Sequence, residues 1–226
     1  MLVIIGVIGL GLSGCQSYNN NSEGVKFFSQ SQYDQAVNSF VQAQKADSNN
    51  PDSYYNLAAT YHHLAKISAQ TNAALAKDQL DFAEKNYQLC LARDNNHTAA
   101  YRGLAVLYID RQNPDAAFKL LDNWSKQSMS AAPMIEMARL FQEFAAIQAV
   151  LNQPAESQQS MQRSIIWLTS ALEAEPNNAR ALRAMGYLRE INGNTAEAIN
   201  DYQRSLQSDP QQEDLKARIA TLQGVR

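Results

Sequence analysis

Cysteine is nearly absent from this 226-residue chain: only Cys15 and Cys90 occur, too few for a framework of disulfides. Glycine (9) and proline (6) are scarce, and β-branched runs all but vanish after residue 12, while Ala and Gln recur throughout. That balance favours helix over strand and points to an all-α chain. An excess of one charge is missing too. The 19 Lys and Arg are scattered among 22 Asp and Glu for a net charge of -3, so there is no basic stripe to neutralise a phosphate backbone. Nucleic acid is therefore excluded as the expected partner. The longest apolar run, Leu2 to Leu12, has eleven residues, whereas a helix crossing a bilayer needs roughly 20.

The usual carriers of catalytic chemistry are missing as well. There is no G-x-x-x-x-G-K, G-x-S-x-G, H-E-x-x-H or paired C-x-x-C motif for phosphate cradling, acyl transfer or zinc binding. His62 and His63 are adjacent, so on a helix they diverge by about 100° and cannot clamp one metal ion. His97 sits in a polar turn, where an exposed imidazole is the ordinary outcome. Glu136 and Glu143 would share a helix face and imitate an acid/base pair, yet two acids on one face are usually solvated. The expectation is a protein that is not an enzyme and holds no cofactor or metal.

The N-terminal run has the length of the apolar core of a secretory signal. It ends in Leu12-Ser13-Gly14-Cys15, which resembles the lipobox of bacterial lipoproteins, although no Lys or Arg precedes the run. The resemblance implies a signal peptide over 1-14, acylation of Cys15 and a polar tether over 15-22. In that family an Asp after the cysteine commonly retains the protein in the inner membrane. Gln16 stands there instead, which implies the outer membrane, with the chain facing the periplasm. Two or more acyl chains hold a protein stably at a bilayer, where one alone is marginal.

The rest of the chain has an internal period. In the unit from Ala179, spaced slots hold Leu182, Met185, Gly186, Ala198, Tyr202 and Pro210. The unit from Ser17 supplies Gly24, Phe27, Ala36, Phe40 and Ala43, with the polar Asn20 and Glu23 in its first apolar slots. The unit from Thr98 gives Tyr101, Leu104, Ala105, Tyr108, Ala117 and Leu121. Two longer units open with Tyr54, Leu57, Ala58 and Tyr61 and resume at Ala83, Tyr87 and Cys90, or open near Pro133 and close with Leu168, Ala171 and Pro176. Each needs about 13 extra residues relative to a repeat of about 34. The pattern resembles the tetratricopeptide repeat, a pair of antiparallel helices in which small residues let the helices approach while large ones fill the space around them.

The resemblance implies a right-handed superhelical solenoid over 23-226. It would comprise about five hairpins (17-50, 51-97, 98-131, 132-178 and 179-212), the second and fourth extended, with a capping helix at 213-222 whose Leu215, Ile219 and Leu222 share one face. In this family the first helix of each hairpin lines a concave groove. Carried over by position, the groove residues are Asp52, Tyr55, Ala59, His62 and His63; Arg102, Val106 and Asp110; Glu136, Leu140 and Glu143; and Arg183, Tyr187 and Glu190. The repeats that clamp a chaperone's C-terminal carboxylate use basic residues and Asn at set positions. Here only Asn56 fits, against Asn21, Val25, Ala99 and Gly103, so that clamp is not built.

The function implied is a non-catalytic interaction scaffold or assembly factor of the bacterial cell envelope. It would bind proteins or peptides of pilus, secretin, outer-membrane or cell-wall machinery and reach the membrane through Cys15. Two other classes stay open: a small-molecule-binding or enzymatic protein that uses the extended hairpins as a pocket, and a structural homo-oligomer. The lipobox resemblance makes one prediction. Cys15→Ala should release the protein from membranes and abolish incorporation of a labelled fatty acid; membrane retention equal to the parent protein would defeat it.

Overall fold

The computed structural model describes the backbone of residues 9–224 and the side chains of residues 15–224. Among the described residues there are eleven helices and no strand: α1 Gly9–Ser29, α2 Tyr33–Ala46, α3 Pro51–Ser68, α4 Ala73–Arg93, α5 Thr98–Asp110, α6 Pro114–Gln127, α7 Ala132–Val150, α8 Pro154–Ala174, α9 Ala179–Ile191, α10 Thr195–Ser208 and α11 Glu213–Leu222. The expected signal segment, 1–14, lies outside the described residues apart from the backbone at 9–14, which opens α1.

Local chemistry sets these boundaries. Asn50, Asn72, His97 and Asn178 each sit just before a helix and accept a hydrogen bond from an N–H of its first turn, which satisfies a donor that the helix leaves orphaned. Pro51, Pro114 and Pro154 occupy first helical positions, where a missing N–H costs nothing. Four first helices stop alike: Ser31, Gln112, Asn152 and Gly193 adopt left-handed φ values of 57 to 81°. In each case the next N–H returns to a carbonyl five residues back, as from Gln32 to Phe27 and from Asn194 to Arg189, both 2.9 Å. These turns reverse the chain in a few residues and bring successive helices side by side.

The chain divides into two compact units, one ending at Ala117 and the other beginning at Phe118, a boundary that falls within α6. In the first unit α1 packs on α2 and α3 on α4 as hairpins; α2 then stacks on α3, and α4 on α5. In the second, α7 pairs with α8 and α9 with α10, with α8 stacked on α9. The α11 helix closes the row by burying Leu215 and Ile219 against Ala198 and Tyr202. This is the helix-hairpin packing of tetratricopeptide solenoids, with two pairs lengthened: α3 and α4 have 18 and 21 residues and α7 and α8 have 19 and 21, against 13 for α5 and for α9.

Close approach is visible atom by atom. A Cβ added at Gly24 would lie 2.5 Å from the Phe40 ring, one at Gly103 would lie 2.5 Å from the Tyr87 ring, and one at Gly186 would lie 2.6 Å from the Tyr202 ring. Elsewhere the small residue is alanine: Ala36, Ala58, Ala83 and Ala198 are wholly buried. A helix-interior glycine normally costs about 1 kcal/mol relative to alanine. Here it makes room for an aromatic ring.

One sequence expectation is corrected. Residues 15–22, expected to form a polar tether, lie in α1, which runs unbroken through them. Two of its polar side chains find partners: the buried Ser17 hydroxyl donates to the Ala43 carbonyl at 3.1 Å, and the Asn56 amide donates to Oδ1 of the half-buried Asn21 at 3.0 Å. A paired polar group escapes the penalty of an unpaired one, so this run packs without an apolar stripe. Pairing of the same kind ties α8 to the start of α7: Glu175 accepts the Ala131 N–H at 2.7 Å and the Asn178 amide at 2.7 Å. Those two hydrogen bonds, the backbone one foremost, hold its carboxyl below the usual range.

Candidate functional site

In the first unit, α3 and α5 supply the residues expected to line a groove. Tyr55 and Ala59 border a small apolar hollow of about 180 Å³ with Val25, Phe28 and Phe40. Arg102 and Val106 are half-buried on α5. His62 departs from the expectation, because it is buried, with Nε2 2.7 Å from Asp110 Oδ2 and its ring edge-on to Tyr87. Asp110 also receives the Lys66 ammonium at 2.9 Å. Burial alone would raise the Asp110 carboxyl, but the hydrogen bonds from His62 and Lys66 outweigh it and hold the group below its ordinary value. His62 and Asp110 therefore bind each other and fasten α3 to α5.

The other histidines are tied in the same way. His63 meets the Tyr33 hydroxyl at 2.9 Å and packs against Phe28. His97 caps α5 through Nδ1 and places Nε2 3.2 Å from Asp52. Cys90 is buried in a slot between helices, and burial, followed by the nearby Asp94 and Asp52, pushes its thiol up to about 12. Among the described residues no group of three or more His, Cys, Asp or Glu is placed to hold a metal ion, and no helix is long and apolar enough to cross a membrane.

The larger site lies wholly in the second unit, where α7, α9 and α11 stand side by side around a groove of about 600 Å³. Ile135, Ala184 and Leu215 give it an apolar floor, and Tyr187, half exposed, stands in it. Arg139, Arg180, Arg183 and Arg218 surround that floor. Each is paired: Arg139 bridges Glu136 and Glu143, Arg180 reaches Glu136, Arg183 reaches Asp214, and Arg218 forks onto Glu190. Glu190 also accepts the Tyr202 hydroxyl at 2.9 Å, so its carboxylate is held from two sides.

Of the residues named from sequence, Arg183, Tyr187 and Glu190 line this groove, and Glu143 lines its continuation along α7. Glu136 and Leu140 do not. Both are fully buried, Glu136 beneath Arg139 and Arg180 and Leu140 in the core. The face of α7 that lines the groove is Ile135, Arg139 and Gln142, spaced i, i+4, i+7. The carried-over positions are thus one residue out of phase at 136 and 140. Sequence reasoning also missed Arg180, Asp214 and Arg218. Counting the repeat one helix further, into the cap, would have marked Asp214 as a groove position.

Models of the tetratricopeptide repeat match residues 24–64 and 168–213, running from α1 into α3 and from the end of α8 to the first residue of α11. Both segments thus carry such repeats. No curated protein matches the sequence. Among solved structures, TTC0263, a thermophilic tetratricopeptide protein of Thermus thermophilus, is 21% identical, with 91% of this chain and 98% of that one covered at a TM-score of 0.53. The human IFIT1 dimer with m7Gppp-AAAA is 13% identical at a TM-score of 0.55, covering 85% of this chain and 47% of that one. The chain therefore spans about half the length of IFIT1, and both likenesses concern the fold.

The Cys90 environment makes a prediction about reactivity. In a Cys15→Ala protein at pH 8, Cys90 should resist a thiol-specific reagent while the chain is folded and react fully in denaturant, because a thiol held near pH 12 is almost never a thiolate there. Rapid stoichiometric labelling of the folded protein would contradict it.

Proposed function

We propose that this protein is a non-catalytic scaffold that holds a protein partner in the groove of its second unit and is lipid-anchored through Cys15 at the bacterial cell envelope. The observation that carries the binding reading is the groove itself. A half-exposed tyrosine stands over an apolar floor, and guanidinium groups surround it. Interface hot spots favour this composition, since Tyr and Arg combine apolar area with directional hydrogen bonding, and the arginines here are already held by ion pairs. Floor and rim both belong to packed helices, so the surface is preorganised and the cost of ordering it is met in folding.

The anchoring part of the proposal rests on Leu12-Ser13-Gly14-Cys15, on Gln16 as the residue that favours the outer membrane, and on the exposure of Cys15. An acylated Cys15 would place the part of α1 from Cys15 onward, and the repeats that follow it, at the periplasmic face of that membrane. Partners would then be proteins or peptides of the envelope: a secretin or pilus subunit, an outer-membrane insertion component or a cell-wall enzyme. In the first unit Tyr55, Ala59, Arg102 and Val106 would add a second, smaller contact surface.

The test is a capture from detergent-solubilised membranes with the full chain, followed by affinity measurement on the purified captured protein. A Tyr187→Ala, Arg183→Glu variant should bind at least about tenfold more weakly, the usual consequence of losing a hot-spot anchor. Equal affinity of parent and variant would rule out the groove as the binding surface.

A further inference from the structure

The groove of the second unit does not end at Tyr187. A second hollow, of about 360 Å³, shares Arg139, Gln142 and Tyr187 with the first and continues along α7 past Glu143 to Ala145, Ala146 and Ala149, with Ser157 and Met161 of α8 opposite. This stretch lies on the part of α7 and α8 that makes them longer than α9. The two hollows differ in chemistry. Toward α11 the surface is rich in arginine; along the extension of α7, beyond Glu143, it is lined by alanines and Met161, with Ser157 as the polar exception.

At the arginine end every guanidinium has a carboxylate partner, but not every donor is used. Glu190 spends both oxygens on Arg218 and Tyr202, and Glu136 is wholly buried between Arg139 and Arg180. Each guanidinium carries five N–H donors, while Arg180 gives one to Glu136 and Arg183 gives two to Asp214. About half of the side-chain surface of Arg180, Arg183 and Arg218 faces solvent, at 49%, 46% and 51%. The carboxylate of Asp214, itself 65% exposed, already occupies one of these guanidiniums, and a surface ion pair of this kind is held weakly. An incoming carboxylate can take its place at little cost.

We infer that the partner segment is an extended peptide with an acidic residue at one end and aliphatic side chains following it. The carboxylate lies on Arg183 and Arg218, a neighbouring apolar side chain packs on Tyr187 and Leu215, and the aliphatic part runs along Ala145, Ala149 and Met161. Lengthening the α7/α8 hairpin thus lengthens the binding wall. This inference rests on the reading of the groove as a protein-binding surface and adds the chemistry and direction of what it binds.

The probe is a displayed library of random twelve-residue peptides selected on the full chain, with the enriched peptide then measured in solution by fluorescence anisotropy. The enriched sequences should share an Asp or Glu next to an aromatic residue or Leu, followed by aliphatic residues. Binding should weaken at least about tenfold when that acid is replaced by its amide, or when Ala149→Arg blocks the aliphatic stretch. Asp214→Asn, which removes the competing carboxylate, should tighten it. A peptide that is lost on Tyr187→Ala but ignores the acid-to-amide change and Ala149→Arg would overturn this inference and leave the groove reading standing. A peptide that ignores Tyr187→Ala, or a library that enriches nothing, would overturn both.

Discussion

The structure depends on how closely two helices of a hairpin can approach. Where Gly24 faces Phe40 and Gly186 faces Tyr202, the ring occupies the space of the missing Cβ, and helix backbones come within reach of side chains from the next helix. Wholly buried alanines serve the same end at positions 36, 58, 83 and 198. Because the interiors of proteins are packed to crystal-like density, a single methyl group at such a point forces the ring or the helix to move. Within each unit one hairpin covers a face of its neighbour, as α8 stacks on α9, and α11 covers the end of the second unit.

The same stacking brings first helices together and creates the surface on which function is proposed. In the second unit α7, α9 and α11 each contribute one stripe, and side chains far apart in sequence meet across it. Arg180 reaches Glu136, Arg183 reaches Asp214 and Arg218 reaches Glu190. The exposed Arg183–Asp214 pair adds little to stability, whereas Arg180 and Arg218 keep the carboxylates of the buried Glu136 and the largely buried Glu190 paired; all three orient donors over an apolar floor. In the first unit the corresponding contact is between the buried His62 and the partly exposed Asp110, which fastens α3 to α5.

The helices were legible in the sequence because their punctuation is local. Asn72 and Asn178 before apolar-periodic runs, and proline at 51, 114 and 154, mark helix starts by the chemistry of the first turn. The small and large slots at Gly186 and Tyr202 were legible for the same reason, since spacing alone places them. What local pattern does not carry is rotation and partnership. A one-residue offset on α7 moves Leu140 from the groove to the core and brings Arg139 out, and nothing in the spacing reveals it. The polar start of α1 reads as solvated until α2 and α3 supply partners for Ser17 and Asn21. His62 looks available until Asp110, 48 residues away, is seen to hold it.

The central claim is that a missing methyl group opposite a ring sets the distance between paired helices. A double-mutant cycle on Gly24→Ala and Phe40→Leu, read by equilibrium urea unfolding of the full chain, measures it directly. The account predicts that Gly24→Ala is costly beside Phe40 and nearly neutral in the Phe40→Leu background, a coupling of at least about 1 kcal/mol. Effects that simply add, to within about 0.5 kcal/mol, would contradict it.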